Sequence, residues 1–91
     1  MESDYKVRFT QEGSKTLRKL NKTEAQRCIL KVTTLRSFSQ STPNIKKLSG
    51  TKNKLFRLRT GDLRIIFEVD QDQKTIWILF TGYRSSIYRN L

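Results

Sequence analysis

The sequence predicts an α+β domain: two antiparallel helices packed on a mainly antiparallel four-stranded sheet, in the order β-α-α-β-β-β. Three observations predict it. Apolar and polar residues alternate from Tyr5 to Phe9 and again through Leu55 to Val69, the period of strands with one buried face. Between these stretches, from Thr10 to Phe38, the apolar residues shift to helical spacing. A nearly continuous apolar run from Ile76 to Phe80 then marks a strand that is covered on both faces or central in the sheet.

In the first strand Tyr5, Val7 and Phe9 share one side and Lys6 and Arg8 the other. Thr10 is placed to cap a helix running to about Leu20, with Leu17 and Leu20 inward and Lys15, Arg18 and Lys19 outward. Gly13 weakens its first turn, because glycine loses the most backbone freedom on entering a helix. Asn21-Lys22 is a short break, and Thr23 with Gln26 has the spacing of a capping box. Ala25, Cys28, Ile29, Val32 and Leu35 then recur on one helix face to about Phe38. Cys28 lies within that stripe and reads as core packing; as the sole cysteine it has no internal disulfide partner.

Small polar residues and Pro43 end the helix, and residues 39–52 form the longest connection, basic at Lys46, Lys47 and Lys52 and anchored by Ile45 and Leu48. From Leu55 to Arg59, Phe56 and Leu58 point one way and Arg57 and Arg59 the other. Thr60-Gly61-Asp62 reads as a tight hairpin in which Gly61 takes positive φ. In the next strand Leu63, Ile65, Phe67 and Val69 share the core face, opposite Arg64, Ile66 and Glu68. Asp70 to Gln73 is a polar turn. Trp77, beyond it, reads as a core or protein-contact residue, and Ser85 to Leu91 as one docked helical turn. Residues 1–91 read as a single domain.

Lysine and arginine number 19 against 8 acids, with no histidine, for a net charge of +11. Such an excess repels itself in a compact domain and implies a polyanionic partner, either nucleic acid or an acidic protein. A membrane is not the expected partner: no apolar run approaches the ~18 residues of a spanning helix, and no helix joins a basic face to an exposed aromatic-leucine face. The N-terminal residues lack the pattern of a secretion signal, so the expected location is cytoplasmic. Without histidine there is no Ser-His-Asp or Cys-His triad and no ordinary zinc site, and there is no phosphate-binding glycine loop or dinucleotide fingerprint. No metal or cofactor is expected. Any catalysis must use Lys, Arg, Tyr, Asp or Glu.

Three local patterns carry a resemblance. They are Asn44-Ile45-Lys46-Lys47-Leu48-Ser49-Gly50; Leu55-Phe56-Arg57-Leu58-Arg59 with Gly61-Asp62-Leu63-Arg64-Ile65-Ile66-Phe67; and Gly82-Tyr83-Arg84-Ser85-Ser86-Ile87-Tyr88-Arg89. In this order and at this length the chain resembles the RelE/ParE superfamily of toxins from toxin–antitoxin operons. The resemblance implies a cognate antitoxin partner, with a possible toxin–antitoxin hetero-oligomer. It also implies one of two activities: RelE-like members cleave mRNA in the ribosomal A site without metal, and ParE-like members poison DNA gyrase. RelE-like members use an arginine in the second hairpin strand, an arginine after the last strand and a nearby tyrosine. These match Arg64, Arg84 and Tyr88, which tips the expectation towards RNA cleavage on the ribosome. The alternating lysines of the family's first hairpin strand correspond to Leu55 and Arg57 here, and Lys52 or Lys54 is placed to replace the missing one.

The residues themselves suit that chemistry. Arginine forks hold the phosphate charge that gathers as a 2′-hydroxyl attacks, a role for Arg64 and Arg84 with Arg57 beside them. Tyr88 is the candidate base, because surrounding cations favour its phenolate; Glu68 is the rival. A lysine, Lys52 or Lys54, suits the general acid better than Arg57 does. Tyr83 is placed to stack on a base, and Lys46, Lys47 and Arg59 to attract RNA backbone. Arg64 with Glu68 also reads as a structural ion pair. The alternatives to a ribosome-dependent mRNA endonuclease are a gyrase inhibitor and a non-catalytic nucleic-acid-binding module.

Overall fold

The computed structural model describes residues 4–39, 42–48, 55–85 and 87. The chain runs β1 (Lys6–Phe9), α1 (Gln11–Arg18), α2 (Lys22–Thr33), a 3₁₀ turn (Thr34–Ser37), β2 (Ile45–Lys47), β3 (Leu55–Thr60), β4 (Leu63–Asp70) and β5 (Thr75–Tyr83). The sheet order is β1-β5-β4-β3-β2, with β1 parallel to β5 and every other pair antiparallel. The expected α+β architecture is present, but the sheet has five strands rather than four. The added strand, Ile45–Lys47, pairs with Phe56 to Leu58. Three residues are too few to show a period, so only the pairing reveals it. Asn44, at φ 72°, turns the chain into it, a conformation asparagine tolerates better than most residues.

Thr10 caps α1 as its position suggests: its hydroxyl oxygen accepts from the Gly13 N–H at 3.0 Å and donates to the Ile78 carbonyl at 3.1 Å. Gly13 is no defect there. A side chain at that position would collide with the Ile78 carbonyl, so glycine lets α1 lie directly on β5. One turn on, Thr16 Oγ1 accepts from the Thr81 N–H at 2.9 Å and fastens the same contact.

The expected capping box at Thr23 and Gln26 does not form. Asn21 is the cap, accepting from the Glu24 N–H at 2.8 Å, and Thr23 lies inside the helix. Asparagine caps as well as threonine does, and this choice puts acidic Glu24 in the first turn, where the helix dipole favours it.

The core lies between the helices and one sheet face. Cys28, Val32 and Leu35 meet Phe56, Leu58, Leu63, Ile65, Phe67, Val69, Ile76 and Ile78. Phe56 stacks on Phe67 with ring centroids 5.6 Å apart, and Phe38 closes edge-on at 5.1 and 5.7 Å. Cys28 is fully buried, as its place in the stripe predicts, and burial pushes its thiol pKa up to about 11. Among the described residues no helix is long and apolar enough to cross a membrane.

Candidate functional site

Directly paired residues on neighbouring strands project from the same sheet face, so register decides which outward side chains meet. Three rows cross the face opposite the helices. Lys46, Arg57, Ile66 and Phe80 form one. Arg59, Arg64 and Gly82 form the next, nearer the hairpin tip. Leu55, Glu68, Trp77 and Arg8 form the third. The sheet thus gathers Lys46, Arg57, Arg59 and Arg64 from three strands towards one end. Lys47 pairs with Phe56 on the helix side and does not join them.

Arg64 departs from the solvated side chain that strand parity suggests. It is buried, with 7% of its surface exposed. Its Nη1 donates to the Gly61 carbonyl at 2.9 Å and the Leu63 carbonyl at 3.0 Å. The burial has a cause, since this end of the face is covered. Ile66 is fully buried, and a methyl on Gly82, the partner of Arg64, would sit 3.2 Å from Ile87 Cδ1. Ile87 therefore docks beside the arginine row. No ion pair joins Arg64 to Glu68 among the described residues. They lie four positions apart on β4, roughly 13 Å at strand rise.

Arg59 stands directly opposite Arg64 and is exposed. Arg57 is half-buried, and its Nε is shielded from solvent without a hydrogen-bond partner among the described residues. Arg84 follows β5. Its N–H donates to the Asp62 carbonyl at 2.9 Å, which extends the β4–β5 ladder past Leu63 and Tyr83 and pins Arg84 to the hairpin turn. An open cleft of about 410 Å³ lies there, lined by Asp62, Tyr83, Arg84 and Ser85. Asp62 and Ser85 were not legible as site residues, because a turn residue meets the end of β5 only through sheet pairing. Lys52, Lys54 and Tyr88 lie outside the described residues.

A second groove, of about 430 Å³, runs between β1 and α2. Its floor is Tyr5, Val7, Phe9, Ile29 and Val32, and Lys6 and Arg36 stand at its rim. Ile29 and the adjoining Leu30 are exposed apolar side chains, at 47% and 72%.

Neither a family model nor a curated protein sequence matches the chain. Solved structures do. The chain is similar to one in the RelBE2 toxin–antitoxin complex from Mycobacterium tuberculosis, with 24% identity, a TM-score of 0.79 and coverage of 91% of this chain and 94% of that one. It is similar to one in the archaeal RelE–RelB complex from Pyrococcus horikoshii, with 29% identity, a TM-score of 0.73 and coverage of 91% and 98%. A chain of the RelB–RelE complex from Methanococcus jannaschii gives 28% identity, a TM-score of 0.70 and coverage of 91% and 96%. These likenesses make the chain RelE-like, with the fold of the toxins of type II toxin–antitoxin pairs.

Proposed function

We propose that this chain is the toxin of a toxin–antitoxin pair and that it cleaves mRNA in the ribosomal A site by attack of a 2′-hydroxyl on the adjacent phosphorus. The observation that carries this reading is the opposition of Arg59 and Arg64 in one cross-strand pair, with Arg84 pinned to the same hairpin turn. Like charges directly opposite on a sheet repel, and each pair of this kind destabilises the fold. A phosphate seated among them converts that repulsion into attraction.

The reaction forms a bond from the 2′-oxygen to phosphorus and breaks the bond from phosphorus to the 5′-oxygen, leaving a 2′,3′-cyclic phosphate. One proton leaves the 2′-hydroxyl and one reaches the 5′-oxygen. Arg64 and Arg84 hold the phosphoryl oxygens. Arg64 is already oriented by its two bonds to the turn, so little freedom is lost when it binds. Arg57, with a shielded and unpaired Nε, is the third phosphate contact. Tyr88 takes the proton in this reading. Glu68, at roughly 13 Å from Arg64 along β4, is too far from a phosphate held there to compete. Lys52 or Lys54 supplies the proton to the leaving group. Lys46 and Arg59 track the RNA backbone, and Tyr83, 40% exposed at the cleft, offers a ring for base stacking.

The partner is a cognate antitoxin. Support comes from the RelB–RelE complexes the chain resembles and from the apolar groove along β1 and α2, which suits an amphipathic segment with acidic flanks facing Lys6 and Arg36. Primer extension on a reporter mRNA in a purified translation system tests the activity. Ribosome-dependent cuts within A-site codons are expected, and they should disappear with Arg84→Ala. If neither protein cuts, the arginines are recognition residues, and inhibition of purified gyrase becomes the next assay.

A further inference from the structure

The geometry points to a second phosphate-binding site at the sheet edge beside the hairpin tip, built from Arg27, Lys31, Asn44 and Arg59, which holds single-stranded RNA as it leaves the arginine face. It rests on the reading of the chain as an RNA-acting protein. An opening of about 450 Å³ at this edge is lined by Lys31, Asn44, Arg59, Thr60, Gly61 and Asp62. Arg27 and Lys31 lie four residues apart on α2 and so share a helix face. Arg27 reaches the tip, its Nη1 4.0 Å from where a methyl on Gly61 would stand. Arg59 donates its N–H to the Asn44 carbonyl at 2.9 Å, which draws the start of β2 against the hairpin.

The chemistry of the lining favours RNA over a peptide. No described residue of this opening has an apolar side chain, so an amphipathic segment would find nothing to bury there, in contrast to the groove along β1 and α2. A phosphodiester finds Lys31 and Arg59, with Arg27 beside them, a side-chain amide and a hydroxyl. At Gly61, φ 61° and the missing side chain leave the backbone open to close approach. Arg27 is loosely held: Glu24 is 3.7 Å away and the arginine side chain is 57% exposed, so the pair yields easily to a phosphate. Asp62 lines both this opening and the cleft at Arg84. Its carboxylate repels phosphate at the tip itself and leaves phosphates to settle on either side of it.

The test measures binding of a fluorescent 2′-O-methyl RNA oligonucleotide, which has no 2′-hydroxyl to react, across a salt series. Lys31→Ala and Arg27→Ala should each weaken binding several-fold and flatten the plot of log K against log salt by about 0.7, the increment for one phosphate contact on a single strand. Glu24→Gln should tighten binding, a gain that misfolding cannot produce. Unchanged slopes in both alanine variants overturn the site. So does a loss of polyglutamate binding without a loss of RNA binding, which would make this an acidic-protein surface. Cleavage on ribosomes is scored separately. Oligonucleotide binding through Lys31 without any mRNA cleavage would retain the site and reject the nuclease. Cleavage with slopes indifferent to Lys31 and Arg27 would do the reverse.

Discussion

The two faces of the sheet are built from the same strands under opposite rules. On the helix side Phe67 pairs with Phe56 and Ile78 and meets the ring of Phe38, and stability comes from area removed from water. On the far side Arg59 faces Arg64, Arg57 lies diagonal to both Arg64 and Glu68, and Arg64 is buried without a carboxylate partner among the described residues. The first face satisfies itself. The second gathers like charges, and if the proposed function holds it is completed by an anion. Substitutions on the two faces should therefore separate folding from function.

The largest effect belongs to the core face. Phe67→Ala removes a fully buried ring that Phe38 and Phe56 both contact, and should destabilise the protein by ~3–5 kcal/mol. Denaturant titration reads this as a lower midpoint, and activity should fall only with the folded fraction. A midpoint close to wild type would mean that the helices do not depend on this contact.

On the other face the order reverses. Arg84→Ala should leave the midpoint within about 0.5 kcal/mol of wild type, because among the described residues its bond to the turn is made by the backbone N–H, which alanine keeps. Ribosome-dependent cleavage should drop by ~10²–10³, the loss expected for one charge-stabilising donor. If stability fell and cleavage survived, Arg84 would belong to the scaffold.

Cys28 probes how dry the core is. Its thiol pKa is raised from 9.0 to about 11, so the folded state keeps the proton longer than the unfolded chain does. The unfolded state binds fewer protons between these values, and stability must fall as pH rises through that window. Below pH 9 the contribution is complete; by pH 11 most of it is lost, on the order of 2–3 kcal/mol. The measurement is the difference in slope between wild type and Cys28→Ala. Equal slopes would show that water reaches the sulfur.

The two faces also differ in how legible they are. The core face follows from period-2 alternation within each strand, and Phe56, Leu58, Leu63, Ile65, Phe67 and Val69 all fall where alternation puts them. The arginine types and their outward side were legible too. What alternation cannot supply is register. That Arg59 opposes Arg64, that Lys46 joins Arg57 while Lys47 does not, and that Asp62 meets Arg84 are facts about pairs of strands. The burial of Arg64 was equally hidden, because it depends on Ile87 docking over Gly82 from the far end of the chain. Gly13 shows the reverse case: a residue that looks like a helix defect by propensity is required by contact with Ile78. Short signals failed for a different reason. Three residues of β2 carry no period, and Asn21 and Thr23 were equally good caps in composition.

The smallest effect tests the comparison most directly. Arg59→Gln removes one of two directly opposed cations while keeping a long polar side chain at an exposed position. Nothing on the core face changes. If the arginine row is kept against its own repulsion, this variant should be more stable than wild type by ~0.2–1 kcal/mol, since like charges directly opposite on a sheet destabilise by that order. The gain should shrink in high salt, because the pair is partly exposed and open to screening. RNA affinity should fall in the same variant. A change that stabilises the fold and weakens the function is the mark of charge maintained for a ligand. If Arg59→Gln were instead destabilising at low salt, Arg59 would be making favourable contacts within the protein, and the outer face would be as self-satisfied as the inner one.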